Sequence, residues 1–232
     1  MAEVPTDLAP IQSSCREEPD APYIFPDKGT IMPAELTINE AAHLAGVSAK
    51  LIEKSVESGI LPAEKVTDGL THRATRRLPL AAVPFLSVIN DAWLRDLPLA
   101  RKRHLWLLVS RSRLVNEAQL AEVRLNETIT LDLEGMAGSR TRLALAYRAA
   151  RDAHLVSDDA VMGGTPVIRG TRLTVYSVLG RLVGGDSMAE LVADYPEIPE
   201  AAFAAAATYA RTHPLRGRPS GRPWAPEAAQ RH

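Results

Sequence analysis

Cationic side chains are the groups whose type and spacing point to chemistry in this chain. Lys50 and Lys54 stand four residues apart in a stretch of helical periodicity, which places both on one helix face, off its apolar side. Ser48 precedes them, and the basic, β-tolerant segment THRATRRLP follows at 71–79 with Arg73, Arg76 and Arg77. Groups of this kind neutralise phosphates and, on a helix, reach base edges in a major groove. A second set closes the chain: His213, Arg216, Arg218, Arg222, Pro223 and Trp224, in HPLRGRPSGRPWAPEAAQRH. Four prolines there oppose a helix, and guanidinium groups on an extended segment pair bidentately with carboxylates. The GRP triplets equally suit an arm in a minor groove, so both readings stay open.

Catalytic and metal chemistry finds no comparable pattern. His43, His72, His104, His154, His213 and His232 are scattered without a ligand spacing such as HExxH, and Cys15 stands alone. No carboxylate pair, nucleophile elbow or phosphate loop is visible, and GGTPVIRGT lacks the lysine and hydroxyl of such a loop. No enzyme, cofactor or metal is expected.

The elements that must hold the first cation set begin at Leu36. Thr37 and Glu40 have the spacing of a capping box, Ile38, Ala41, Ala42 and Ala45 form an apolar face, and Gly46-Val47 supplies a turn. Ser48 then caps a second helix over 49–58 that turns Leu51, Ile52 and Val56 inward and stops at Gly59. The order TIxEAAxxxGVS, a second helix and a β wing resembles MerR-type and excisionase-type DNA-binding domains. That resemblance implies a winged helix-turn-helix with DNA contacts from Ser48, Lys50, Lys54, Arg73, Arg76 and Arg77.

Helices are expected over 80–94, with Val83, Leu86, Ile89 and Trp93 spaced for burial, and over 99–113, with Leu105, Trp106, Leu108 and Val109 inward. Alternation over 119–125 and 129–133 predicts a hairpin turning at Asn126-Glu127 and ending at Gly135. A helix over 139–155 should then present Leu143, Ala146, Tyr147 and Ala150. Further on, 166–168 and 172–175 read as a small hairpin turning at Arg169-Gly170. A helix with Val175, Val178, Leu179, Leu182 and Val183 inward comes next, then a Ser187/Glu190 capping box and an alanine-rich helix from about Pro199.

The order GGTPVIRGTRLTV, GGDS, DYP and a closing YA at Tyr209-Ala210 resembles the domain-of-unknown-function 433 family. Members with an extra N-terminal DNA-binding unit resemble VapB-type antitoxins of PIN-like ribonuclease toxins. The resemblance implies that the terminal segment silences such a toxin through His213, Arg216, Arg218, Arg222, Pro223 and Trp224. The last alanine-rich helix carries Glu197 and Glu200 at its start and no Lys, Arg, Asn or Gln before Arg211, so it suits protein contact better than a base edge.

Charge agrees with this partition. The net charge of −1 over 232 residues conceals ten Lys or Arg against three Asp or Glu in 65–113, and five against one in 211–232. The segment 1–34, rich in proline and acids, reads as disordered. No signal peptide or apolar run of membrane length is seen, and a lone cysteine fits a reducing cytoplasm. The fold expected is mainly α with small β hairpins (α+β): two helix-turn-helix-like units, the first winged, joined by a β ribbon and a helix. Its parts are 1–34, 35–114, 115–156, 157–212 and the tail 213–232. The function expected is that of an antitoxin and autorepressor binding operator DNA and a PIN-like ribonuclease, as a homodimer or larger hetero-oligomer without membrane contact. The alternative is a stand-alone helix-turn-helix regulator.

Overall fold

The structure, a computed structural model, describes residues 34–111 and 122–215. The capping residues set its first elements. Strand β1 (Ala34–Thr37) runs straight into helix α1 (Ile38–Ala45), because the Thr37 hydroxyl accepts the Glu40 amide while the Glu40 carboxylate accepts the Thr37 amide. Gly46, at φ 68°, takes the left-handed turn that ends α1. Helix α2 (Ala49–Glu57) starts at Ser48, whose hydroxyl accepts the Leu51 amide at 3.3 Å. Strands β2 (Glu64–Thr67) and β3 (Ala74–Pro79) form an antiparallel hairpin where the sequence suggests a wing, a name kept for it below, and β1 covers the other edge of β3 in the order β1-β3-β2.

Helix α3 (Ala82–Ile89) is apolar on all sides and buried at every position except Ser87, so it forms the centre of the core. Asn90-Asp91 ends it early. Arg95 donates to both the carbonyl and the side chain of Asn90, closing a turn from which the short helix α4 (Ala92–Arg95) emerges. The single helix expected over 80–94 is therefore two, and Trp93 lies 49% exposed instead of buried. Helix α5 (Leu99–Arg111) packs on α3, with Trp106 edge-on to Phe85 at 5.6 Å between ring centres.

Strands β4 (Glu122–Arg124) and β5 (Thr130–Asp132) form the second hairpin, turned by Asn126, whose side chain accepts the amides of Thr128 and Ile129. Gly135 does not mark a break but lies in the first turn of helix α6 (Leu133–His154). The Asp132 carboxylate accepts the Gly135 amide at 3.0 Å and so starts α6 six residues before the expected point. Its inner face is also rotated from the one expected. Ala137, Thr141, Ala144, Tyr147 and Arg151 are buried, whereas Leu143 is 55% exposed. Small side chains let neighbouring helices approach, and α6 packs against α3 on one side and helix α9 (Glu200–Thr212) on the other. The parts expected as separate domains thus share a core, and Asn39 on α1 donates to the Thr212 carbonyl at 3.1 Å.

Strand β6 (Leu155–Val156) pairs with β7 (Val167–Ile168). The hairpin expected at 166–175 keeps its turn, with Gly170 at φ 79°, but its second arm shrinks to a bridge between Val167 and Thr174. Thr174 already serves as the N-cap of helix α7 (Val175–Gly184). Val175 and Val178 are buried against the body, whereas Val183, expected inside, is 77% exposed at the helix end. Helix α8 (Met188–Asp194) opens on the Ser187/Glu190 capping box. Arg181 then bridges Asp186 and Asp194, tying α7 to α8.

Candidate nucleic-acid interface

The wing carries the cations in two different environments. Successive residues of a strand point to opposite faces, so the adjacent Arg76 and Arg77 part company. Arg77 turns inward and pairs at 2.8 Å with Asp68, which is buried at the wing root, and it also donates to the Glu35 carbonyl. Burial would push the Asp68 carboxyl up, but the Leu70 amide and the Arg77 guanidinium outweigh it and hold it below its ordinary range. Arg77 therefore leaves the set of expected DNA contacts, since its charge is committed to a buried partner. Arg73 and Arg76 remain exposed.

Register adds a residue that the sequence reading missed. Lys65 on β2 stands directly across from Arg76 on β3, and both are exposed. Like charges in that position cost roughly 0.2–1 kcal/mol, a cost that an anion lying across the pair would reverse. Lys65 was findable, because its strand EKVT precedes the turn and a hairpin must bring it opposite the second arm.

Helix α2 offers a different surface. Lys50, Glu53, Lys54 and Glu57 are its exposed charged residues, two of each sign, and none forms an ion pair among the described residues. Ser48 is exposed, yet its hydroxyl is engaged in capping. The far end of α2 faces the protein: Arg103 of α5 donates to the Ser58 carbonyl at 2.7 Å, placing a cation at the negative end of the helix dipole.

Behind the wing lies a buried polar seam between the two halves of the chain. Glu40, 1% exposed, accepts bonds from the Thr37 amide, from the Tyr147 hydroxyl at 2.5 Å and from Arg151 at 3.1 Å. Burial opposes its charge, but Arg151 foremost, with His213, Tyr147 and Thr37, keeps its carboxyl below the ordinary range. Burial, reinforced by Glu40, pushes the Tyr147 hydroxyl far up. For Arg151, burial works against the charge, and Glu40 outweighs it with help from Tyr147 and Asp152. A cleft of about 350 Å³ opens beside this seam, lined by Asp68, Arg77, Arg151, Asp152 and Arg169 among others. Arg77 and Arg151 already hold carboxylates there, so the cleft has little unbalanced charge.

Within the C-terminal unit the last helix presents little to a nucleic acid, while Arg169, Arg172 and Arg211 are exposed. Helix α9 buries Ala202, Phe203, Ala205, Ala206, Ala207, Tyr209 and Ala210 and so works as a core helix. Arg169 donates to the Ala153 carbonyl at the end of α6. His213, expected to bind a partner, is held by the body instead. Its ring stacks on Tyr209 at 4.1 Å, and its carbonyl accepts the Tyr176 hydroxyl at 2.8 Å. Arg216, Arg218, Arg222, Pro223 and Trp224 lie outside the described residues.

Comparison with known proteins coincides with this C-terminal unit. Residues 155–210 match the family described as "Protein of unknown function (DUF433)". Over 191 residues the chain is 31% identical to "Uncharacterized protein y4eO" of Sinorhizobium fredii (strain NBRC 101917 / NGR234), covering 79% of this chain and 83% of that protein. The chain belongs to this family. The family match begins at β6 and ends in the last turn of α9, whereas the similarity to y4eO extends over most of the chain. The X-ray crystal structure of Rv2018 from Mycobacterium tuberculosis aligns with 75% of this chain and 97% of its own, at 16% identity and a TM-score of 0.32.

Proposed function

We propose that this DUF433 protein is the antitoxin of a toxin–antitoxin pair and represses its own operon, acting by binding and not by catalysis. The winged N-terminal unit holds operator DNA, while the C-terminal unit and the segment beyond it hold and silence a PIN-like ribonuclease in the cytoplasm. The assembly is a homodimer or a larger complex with the toxin. The observation that carries the DNA half is the exposed Lys65/Arg76 pair on the wing, like charges set opposite one another without a carboxylate partner among the described residues. The toxin half is supported by the family resemblance, and the exposed Glu197 and Glu200 at the start of α9 make that end unsuited to phosphate.

The test is co-expression with the neighbouring reading frame. The full chain should co-purify with that product and rescue growth, and truncation after Leu215, which keeps the packed His213, should abolish rescue while leaving operator binding intact. Operator binding with neither co-purification nor rescue would replace this reading by that of a stand-alone regulator. Loss of both activities from the full chain would remove it altogether.

A further inference from the structure

The outward face of α2 has a restricted chemistry. Leu51 and Val56 are half-buried and Ile52 and Ser55 are buried, which leaves Lys50, Glu53, Lys54 and Glu57 as its exposed groups. No Arg, Asn or Gln stands among them. In the major groove, adenine is read by Asn or Gln through its N6 and N7, guanine by a cation through O6 and N7, and cytosine by a carboxylate accepting from its N4 amino group. The face therefore holds both halves of the G·C vocabulary and neither amide that reads adenine.

The end of the helix that enters the groove is also defined. The C-terminal end is tied down by Arg103 on the Ser58 carbonyl, whereas the N-terminal end begins at the exposed Ser48. Recognition helices present their N-terminal residues to base edges. Lys50, Glu53 and Lys54 lie three and four residues apart on the first two turns, and so share one side. A carboxylate at Glu53 would repel phosphates, which makes it a liability unless a base amino group receives it. The wing meets the phosphates independently, through Lys65, Arg73 and Arg76.

We infer that α2 reads a G·C base pair, with Lys50 or Lys54 on guanine and Glu53 accepting from the cytosine amino group. Glu53 is thereby a specificity-determining residue. This rests on the DNA-binding reading above and narrows it to one class of base pair.

The experiment is selection by the full chain from a duplex library randomised over roughly ten base pairs, at low salt because phosphate contacts dominate affinity. The unmodified chain should enrich G·C at one or more positions. Glu53→Gln should lose the cytosine preference at one of them, by roughly tenfold, and gain adenine there, because Gln pairs with its N6 and N7. Glu57→Gln, on the last turn, should retain the original preference, and equal melting temperatures establish that each variant is folded. Enrichment of A·T, binding without base preference, or an unaltered cytosine preference in Glu53→Gln would each overturn the inference while leaving DNA binding intact. Failure of the unmodified chain to retain any duplex would instead sink the DNA-binding reading, and this inference with it.

Discussion

The wing and the C-terminal unit use arginine in opposite ways. Arg181, between α7 and α8, bridges Asp186 and Asp194, and those partners push its already high pKa further up. Arg76, on the wing, has Lys65 across the strand and forms no ion pair among the described residues. Arg181 has its charge balanced inside the chain, whereas the exposed Lys65/Arg76 pair has no carboxylate partner among the described residues. Charge counted along a sequence cannot separate these cases, because both arginines look alike until their neighbours in space are known. On the function proposed above, the two halves would meet different kinds of partner although they share a core.

That shared core is the first thing to break. Glu40 and Arg151 belong to different halves and are buried together; removing Glu40 leaves the buried Arg151 with only the more exposed Asp152 as a charge partner, a loss of up to about 3–5 kcal/mol. Glu40→Ala should show a loss of that order in urea melts. If the halves form one cooperative unit, Trp106 fluorescence and far-UV dichroism should shift together. Separate transitions would mean that α6 joins two independent bodies. Acid provides a second route. The folded Glu40 carboxyl lies below its ordinary value of 4.5, so its contribution is fully present above that pH and is lost as pH falls through the depressed folded value. Glu40→Gln should flatten the fall in stability over that acid range.

The features legible in the sequence are the local ones. The capping boxes at Thr37/Glu40 and Ser187/Glu190, the Ser48 cap and the turn at Gly46 each depend on residues within a few positions of one another, and each is found as expected. The family signature was likewise contiguous enough to recognise. The misjudged features depend on distant neighbours. Glu40 was legible as a cap but not as the acceptor of Arg151, more than a hundred residues away. The inner face of α6 was misassigned because Leu143 looks like a core residue and Arg151 does not, until Glu40 supplies the compensating charge. Arg77 is separable from Arg76 on sequence alone. Strand alternation already forbids Arg76 and Arg77 from facing one ligand together.

The wing pair sharpens the contrast at smaller energy. Neutralising Lys65 and Arg76 together by substitution with Gln should lower the slope of log affinity against log salt by about 0.9 per lost phosphate contact, hence by nearly two. The same double variant should be slightly more stable than the parent, by a few tenths to about 1 kcal/mol, because a like-charge cross-strand pair is removed. Arg181→Gln, made on the side with closed electrostatics, should leave the salt slope untouched. Titration of a labelled duplex at several salt concentrations, with thermal melts of each variant, would check both signs. An unchanged slope in the wing variant would remove the phosphate role of this surface.

The smallest effect concerns the outer side of α7. Gly180 lies inside that helix and is exposed, and an added Cβ there would meet nothing within 4 Å. Glycine in a helix interior is less favourable than alanine by about 0.8–1.0 kcal/mol, so Gly180→Ala should stabilise the isolated chain by up to that amount in a urea melt. No contact among the described residues accounts for a glycine at this place, which makes the variant informative in the opposite direction too. Were Gly180→Ala more stable yet unable to co-purify with the neighbouring product, α7 would be a face on which that partner's surface approaches closely. If co-purification were unaffected, the partner's contact would lie elsewhere on the C-terminal unit or in the segment beyond residue 215.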